Sequence, residues 1–382
     1  ALGGQGIGAG ARVALLSKNH DRWYPVFFGT ALARACLAPV NSRLTASEIN
    51  FILGDAAPRL LFVGEDFFDV ALAAVAGLES PPRLVALSGD HPAFEPFDTW
   101  LGNACDAVPA ERPQLSDPVL QLYTSGTTGN PKGVVYSHRS SFLHAMATCT
   151  SNALDVGSDD VTLPIVPMFH ANAWGLPYAA LMAGADLAMP DRFLDGASLI
   201  DLIETLRPTI AGAVPTIWND VMNCLEKNPG HDISSLRIVG CGGSAVPLSM
   251  MRIFQERYGV HIRQAWGMTE TSPLATTAKP MPNVSDEQYW TSRATAGRPM
   301  CGVEIRIVDD AGAPLPHDGE AVGEIEIRGP WITGSYYLGF DASKFDSGWL
   351  RTGDVGRIDS CGFVTLTDRA KDAIKSGGEW IS

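Results

Sequence analysis

The chain has 382 residues, 46% of them hydrophobic and 18% charged, with a formal net charge of −14. Those proportions suit a folded chain of two or three subdomains and exclude a disordered one. The negative charge opposes nucleic acid as a partner but leaves ATP open, because a local donor-rich loop outweighs a global charge.

In the first hundred residues, Val13–Leu16 and Leu60–Val63 read as strands. The next signal is Tyr123-Thr-Ser-Gly-Thr-Thr-Gly-Asn-Pro-Lys-Gly133, packed between the apolar segments Val119–Leu122 and Val134–Tyr136. Its glycines let backbone N–H groups turn toward an anion, and its hydroxyls and Lys132 add donors and a positive charge. No Gly-Lys-Ser/Thr follows and the next segment reads as a strand, which argues against a Walker-type phosphate loop. From Val161 onward, strands at Val161–Val166, Ala185–Met189, Thr209–Ala213, Leu236–Gly240 and Val260–Ala265 alternate with helical spacing at Leu199–Leu206, Ile217–Leu225 and Leu248–Phe254. That alternation predicts βαβ units and a parallel sheet. After about residue 295, Val303–Val308, Glu324–Arg328 and Phe363–Thr367 alternate apolar and polar side chains, which predicts a smaller antiparallel subdomain.

Seven scattered cysteines without a Cys-x-x-Cys pair suit reduced thiols and a cytoplasmic location, and form neither a disulfide framework nor a zinc pattern. No signal peptide and no transmembrane segment is visible. The glycine-rich start without methionine, and the end at Ser382, lead to the expectation of a chain cut at both ends.

In open α/β sheets, ligands bind beyond the carboxyl ends of the strands. Those ends carry Pro167-Met-Phe-His-Ala-Asn-Ala-Trp174, Val214-Pro-Thr216, Cys241-Gly-Gly-Ser-Ala-Val-Pro247 and Trp266-Gly-Met-Thr-Glu-Thr-Ser272. Glu270 is the key acid. Alone it reads as a helix N-terminal acid or cap. Together with the donor loop it reads as a ligand holding Mg²⁺ beside phosphate oxygens.

The loop at 123–133, Trp266-Gly-Met-Thr-Glu270, Gly348-Trp-Leu-Arg-Thr-Gly-Asp354 and Asp368-Arg-Ala-Lys-Asp-Ala-Ile-Lys-Ser-Gly-Gly-Glu379 stand in that order. Together they resemble the acyl-adenylate-forming superfamily, over essentially the whole chain, and within it Val166-Pro-Met-Phe-His-Ala-Asn-Ala-Trp-Gly-Leu-Pro-Tyr178 most resembles the long- and medium-chain fatty-acyl-CoA synthetases. The resemblance implies a mixed α/β fold: two mostly parallel sheets flanked by helices, plus a small distorted antiparallel β-barrel. It places a large adenylating domain at 1–368, with subdomains at about 1–115, 116–280 and 281–368, and a hinge with the stub of a further domain at 369–382.

By the same resemblance, Thr124, Ser125, Gly126, Thr127, Thr128, Gly129 and Lys132 grip the ATP phosphates as a lid. Thr124 and Glu270 hold Mg²⁺. Gly242, Gly243, Ser244, Gln264, Ala265, Trp266, Gly267, Met268 and Thr269 surround the nucleotide, with Trp266, where the family usually has tyrosine, near adenine. Asp354 accepts hydrogen bonds from ribose, an acceptor-only group matched to a diol. Arg369 touches ribose and phosphate, and Lys371 is the hinge pivot. His170, Trp174, Val214 and Gly240 are substrate residues; His170 and Trp174 line or gate an acyl channel, unless both are core residues. The catalytic candidates are Thr124, Glu270 and His170.

The implied activity is ATP-dependent conversion of a fatty acid to acyl-adenylate and then to acyl-CoA, with ATP, CoA and a small carboxylate as partners and a homodimer as a possible assembly. In the family a lysine on the further domain bridges the carboxylate and the α-phosphate, so a chain ending shortly after Lys371 is expected to be impaired. A short thioether or aryl acid is the alternative substrate, and a non-catalytic nucleotide or acyl-adenylate binding module the alternative class. A luciferase-like oxygenase is a remote third.

Overall fold

A computed structural model describes residues 1–102, 111–124, 130–369, 374–376 and 379–381, with side chains described through residue 367. The chain forms two compact units.

The first unit comprises Ala1–Phe142, Pro167–Ala173 and Tyr336–Phe340. Its seven-stranded sheet runs in the order Glu95–Pro96, Arg83–Ala86, Leu60–Val63, Arg12–Leu16, Cys36–Pro39, Pro118–Tyr123, Gly133–Ser137. All neighbours are parallel except the last pair. Val13–Leu16 and Leu60–Val63 are continuous apolar runs because a parallel strand covered on both faces has no solvent side, and every residue in them is buried. The sheet takes in residues 118–137, past the 115/116 boundary expected from the sequence. Helix Ala46–Ala56 buries Ile49, Ile52 and Leu53. Thr45 starts it with a capping box: its hydroxyl accepts from the Glu48 N–H, and the Glu48 carboxylate accepts from the Thr45 N–H at 2.8 Å. The Thr45 hydroxyl, 2.7 Å from the Glu48 carboxylate, and second the Thr45 N–H hold the Glu48 carboxyl below its ordinary pKa.

The second unit comprises Leu143–Val166, Trp174–Ser335 and Asp341–Ser382. Its own seven-stranded sheet has the order Arg298–Pro299, Leu274–Thr277, His261–Gly267, Ile238–Cys241, Ile210–Ala213, Val161–Pro164, Asp186–Leu187. From His261–Gly267 to Asp186–Leu187 the strands are parallel, and the other two are antiparallel. Helices Gly196–Leu206, Pro215–Lys227 and Leu248–Tyr258 fall where the apolar spacing predicts them. Trp218 and Phe254, both fully buried, meet edge to face at 5.9 Å within this core. The strand predicted over Ala185–Met189 contracts to Asp186–Leu187, since it is the sheet edge and has one neighbour to pair with.

A further five-stranded antiparallel sheet, curled into a half-barrel, contains Glu304–Val308, Gly323–Arg328, Trp349–Ile358, Phe345–Asp346 and Val364–Arg369. Its longest member, Trp349–Ile358, contains Thr352-Gly-Asp354, a tripeptide that by itself favours a turn. Pairing on both sides overrides that local preference, and the mismatch is absorbed as a bulge with Gly353 at φ +77°. Among the described residues no helix is long and apolar enough to cross a membrane.

Candidate active site

In the first unit the donor loop springs from an antiparallel pair whose last register is Tyr123 opposite Gly133. Thr124 N–H donates to the Lys132 carbonyl at 3.0 Å, and Lys132 N–H donates to the Thr124 hydroxyl at 3.3 Å. These reciprocal bonds close the loop at its base. Ser125, Gly126, Thr127, Thr128 and Gly129 lie outside the described residues. The Lys132 ammonium stands 5.2 Å from the centre of the Tyr336 ring, a cation–π distance. A half-buried polar chain anchors the strand that feeds the loop: Arg12 Nε donates to Gln121 Oε1 at 2.7 Å, Gln121 Nε2 to Tyr123 Oη at 2.7 Å, and Tyr123 Oη to Asp55 Oδ2 at 2.6 Å. Burial first and the Asp55 hydrogen bond second raise the Tyr123 pKa, so the phenol keeps its proton.

Segment Pro167–Ala173 belongs to the same unit and is tied down by Met168 N–H donating to Asn19 Oδ1 at 2.7 Å. His170 is exposed in area. Its ring is nonetheless crowded enough that lost hydration, with the Arg43 charge second, lowers its pKa. The chain then makes a left-handed turn: φ is +45° at Ala171, +52° at Asn172, +49° at Ala173, +60° at Trp174 and +70° at Gly175. Each non-glycine residue so placed costs about 1–2 kcal/mol. Asn172, which sequence reasoning did not single out, is 2% exposed, and neither amide atom has a hydrogen-bond partner among the described residues. A second polar residue, beside His170, inside a mostly apolar motif was the available signal.

In the second unit Trp174 lies across two strand ends. A Cβ added to Gly212 or to Gly242 would sit 3.8 Å from its indole in each case. The small residues therefore leave the floor on which the ring rests. Gly242 is also required by the sheet, since its Cβ would come 2.8 Å from the Ala265 carbonyl oxygen. Gly243, at φ +82°, turns the chain beside Val214, and Ser244 is exposed. Gly240 is buried inside its strand, where a Cβ would meet Leu154 at 3.4 Å. Gln264, placed with the nucleotide residues by resemblance, uses its buried amide elsewhere. Oε1 accepts from Val246 N–H at 2.7 Å and Nε2 donates to the Thr295 carbonyl at 2.7 Å. It pins the 241–247 loop, because a buried amide must be paired.

Trp266 stands at a bulge one residue before its strand ends at Gly267, which passes so close to the Pro273 carbonyl that no Cβ fits. The Trp266 Nε1–H donates to Asp354 Oδ2 at 2.9 Å. Two motif positions far apart in sequence thus meet directly. Thr269–Thr271 form a 3₁₀ turn in which Glu270 is buried, with its carbonyl accepting from Thr333 N–H at 2.8 Å. Met268 N–H donates to Thr271 Oγ1 at 2.9 Å within this turn. Ser272 Oγ donates to the Trp331 carbonyl at 2.5 Å, Trp331 Nε1 to the Leu274 carbonyl at 3.0 Å, and Leu274 N–H to His144 Nε2 at 3.1 Å. His144 and Trp331 are supports that the sequence did not reveal, since neither lies in a motif. Burial drives the His144 pKa down to about 3, so the ring is neutral, with its proton on Nδ1 because Nε2 accepts.

Among the described residues no group of three or more His, Cys, Asp or Glu gathers at one point. A buried glutamate within a hydroxyl-rich turn still fits Mg²⁺, which takes one or two protein carboxylates and completes its shell with phosphate and water. Arg369 stands opposite Asp354 in strand register, while its side chain and the whole of Lys371 lie outside the described residues.

Parallel sheets with a glycine-lined strand edge, a donor loop and an aromatic–carboxylate pair define, as a class, a nucleotide-handling enzyme. The family model described as AMP-binding enzyme matches residues 1–337, and the chain belongs to that family. It is 38% identical to the medium-chain-fatty-acid–CoA ligase of Ectopseudomonas oleovorans, covering 100% of this chain and 72% of that protein. It is 39% identical to the 3-methylmercaptopropionyl-CoA ligase of Ruegeria pomeroyi, covering 99% of this chain and 72% of that protein. Among solved structures, the anthranilate CoA ligase AuaEII in complex with anthranoyl-AMP superposes with a TM-score of 0.88 at 27% identity, over 100% of this chain and 72% of that one.

Proposed function

We propose that this chain activates a medium- or long-chain fatty acid with ATP, forming acyl-adenylate and pyrophosphate, and that the acyl group then passes to CoA with release of AMP. The observation that carries the reading is the Trp266–Asp354 hydrogen bond, which joins a base-sized aromatic face to a carboxylate suited to a diol. Relatedness to a fatty-acid–CoA ligase over the full chain supports the substrate class.

The substrate carboxylate oxygen attacks the α-phosphorus, the bond from that phosphorus to the bridging oxygen breaks, and pyrophosphate leaves. No protein nucleophile is needed, so the side chains act by positioning and by charge neutralisation. Thr124 and Lys132 supply donors to phosphate, Asp354 holds ribose, and Glu270 is the carboxylate for Mg²⁺, whose contribution when bound is neutralisation of phosphate charge. Trp174 on its glycine floor faces the acyl group, and His170 gates the approach. The scattered thiols, none of them in a disulfide among the described residues, support a cytoplasmic setting.

Pyrophosphate release with a panel of acids, measured on the full-length protein, tests this. Fatty acids of medium or long chain should give the highest kcat/KM. Preference for 3-methylmercaptopropionate, the second reading that kinship to a 3-methylmercaptopropionyl-CoA ligase supports, or for an aryl acid, overturns the substrate assignment. No pyrophosphate with any acid overturns the catalytic one. For the metal, Glu270→Gln should weaken Mg·ATP binding in calorimetry, and unchanged affinity refutes the role.

A further inference from the structure

We infer that Trp266 is a positioning residue for Asp354, and that its indole N–H, beyond any stacking by its ring, sets how the site reads the ribose hydroxyls. Both partners of the 2.9 Å hydrogen bond are immobilised by separate anchors. The indole is 9% exposed and packed among Ala147, Met300 and Ile327. Its backbone is fixed by the bulge and by the side-chain-free passage of Gly267 past Pro273. Asp354 sits in the bulge of Trp349–Ile358, where the Thr352 hydroxyl accepts from the Asp354 N–H at 3.1 Å and donates to the Ile325 carbonyl at 2.7 Å. Two strand irregularities from different sheets are therefore locked so that a rigid donor meets one carboxylate oxygen.

A carboxylate on a strand ordinarily rotates about two torsions, and an N–H held against Oδ2 selects one orientation. It also occupies part of the acceptor capacity of the group, so an incoming diol meets a carboxylate already aligned and partly used. Phenylalanine has no donor and tyrosine carries its donor at another point of the ring, so the effect belongs to the indole.

The inference rests on the assignment of ribose to Asp354, and the test separates the two. Affinities of ATP and of 2′,3′-dideoxy-ATP are measured in the presence of Mg²⁺ for the unaltered chain, for Trp266→Phe and for Asp354→Ala. Trp266→Phe should weaken ATP by roughly tenfold, the size of a lost hydrogen bond to a charged group, and leave the dideoxy nucleotide unchanged. Equal weakening of both nucleotides means the ring acts by stacking or packing and overturns the inference, as does no weakening of either. Asp354→Ala should bring the two nucleotides to the same affinity. If it leaves the preference for ATP intact, the ribose assignment falls and the inference with it; if it abolishes the preference while Trp266→Phe keeps it, the inference alone falls. Should Trp266→Phe not fold, the Trp266 indole N–H resonance of the unaltered chain carries the test. That resonance should move much further on binding ATP than on binding the dideoxy nucleotide, and equal movement counts against the inference.

Discussion

The two units present their functional groups in different ways. In the first, Thr124 and Lys132 stand at the base of a loop whose feeding strand is secured by a polar chain, Arg12–Gln121–Tyr123–Asp55. In the second, Trp266 stands at a strand bulge secured by steric closeness and by an apolar core, and it aligns Asp354, which the Thr352 hydroxyl holds in a second bulge. The first arrangement suits a flexible polyphosphate chain, which needs many donors and tolerates variety in their placing. The second suits a rigid nucleoside, which needs a plane and a carboxylate at fixed separation. The lesson is that steric anchoring should fail abruptly and polar anchoring by degrees.

The sharpest attempt to break this contrast is Gly267→Ala. With the Pro273 carbonyl occupying the space of a Cβ, the turn carrying Glu270 must move, and a loss of about 3 kcal/mol or more is expected in denaturant unfolding, together with loss of nucleotide binding. A near-normal midpoint would show that the second unit is not sterically anchored there. In the first unit, Tyr123→Phe removes one hydroxyl that serves Gln121 and Asp55, and should cost about 1–3 kcal/mol, with the thermal transition remaining cooperative.

The buried His144 gives a pH test confined to the second unit. Its folded pKa, about 3, lies below the ordinary 6.5, so the unfolded chain binds the proton more tightly. The stability it contributes is complete above pH 6.5 and is lost as pH falls toward 3. Between pH 6.5 and 5 this should remove about 1.5 kcal/mol, and His144→Gln should flatten that slope relative to the unaltered chain. Parallel slopes would mean that His144 charges freely in the folded state. The smallest effect is expected at Asn172→Gly, which relieves φ +52° and deletes an amide without partners among the described residues. Stability should hold or rise by up to about 1 kcal/mol; a fall larger than that in thermal melting would reveal a partner for the amide.

Several elements were legible in the chain because local and global preferences agree in them. Val13–Leu16 and Leu60–Val63 are apolar on both faces, and Gly196–Leu206, Pro215–Lys227 and Leu248–Tyr258 carry one apolar stripe each. Trp349–Ile358 was illegible, since glycine and aspartate oppose a strand locally and only neighbours on both sides enforce it. Gln264 carries a task its motif does not reveal: two residues from Trp266, its side-chain amide holds a loop. His144 and Trp331 have no motif around them, and their value lies in partners remote in sequence, such as Leu274.

The aspartate at 354 stood out only through the family motif, and by itself the sequence determined which residue types stand at the strand ends: the donors of 123–133, the glycines at 242 and 243, and the acid at 270. Those follow from periodicity and turn chemistry, which are local properties of a chain. Tertiary structure alone decided which of them touch. That Trp266 donates to Asp354 depends on two bulges and a glycine passing a carbonyl, and such contacts arise only when distant strands compete for the same space.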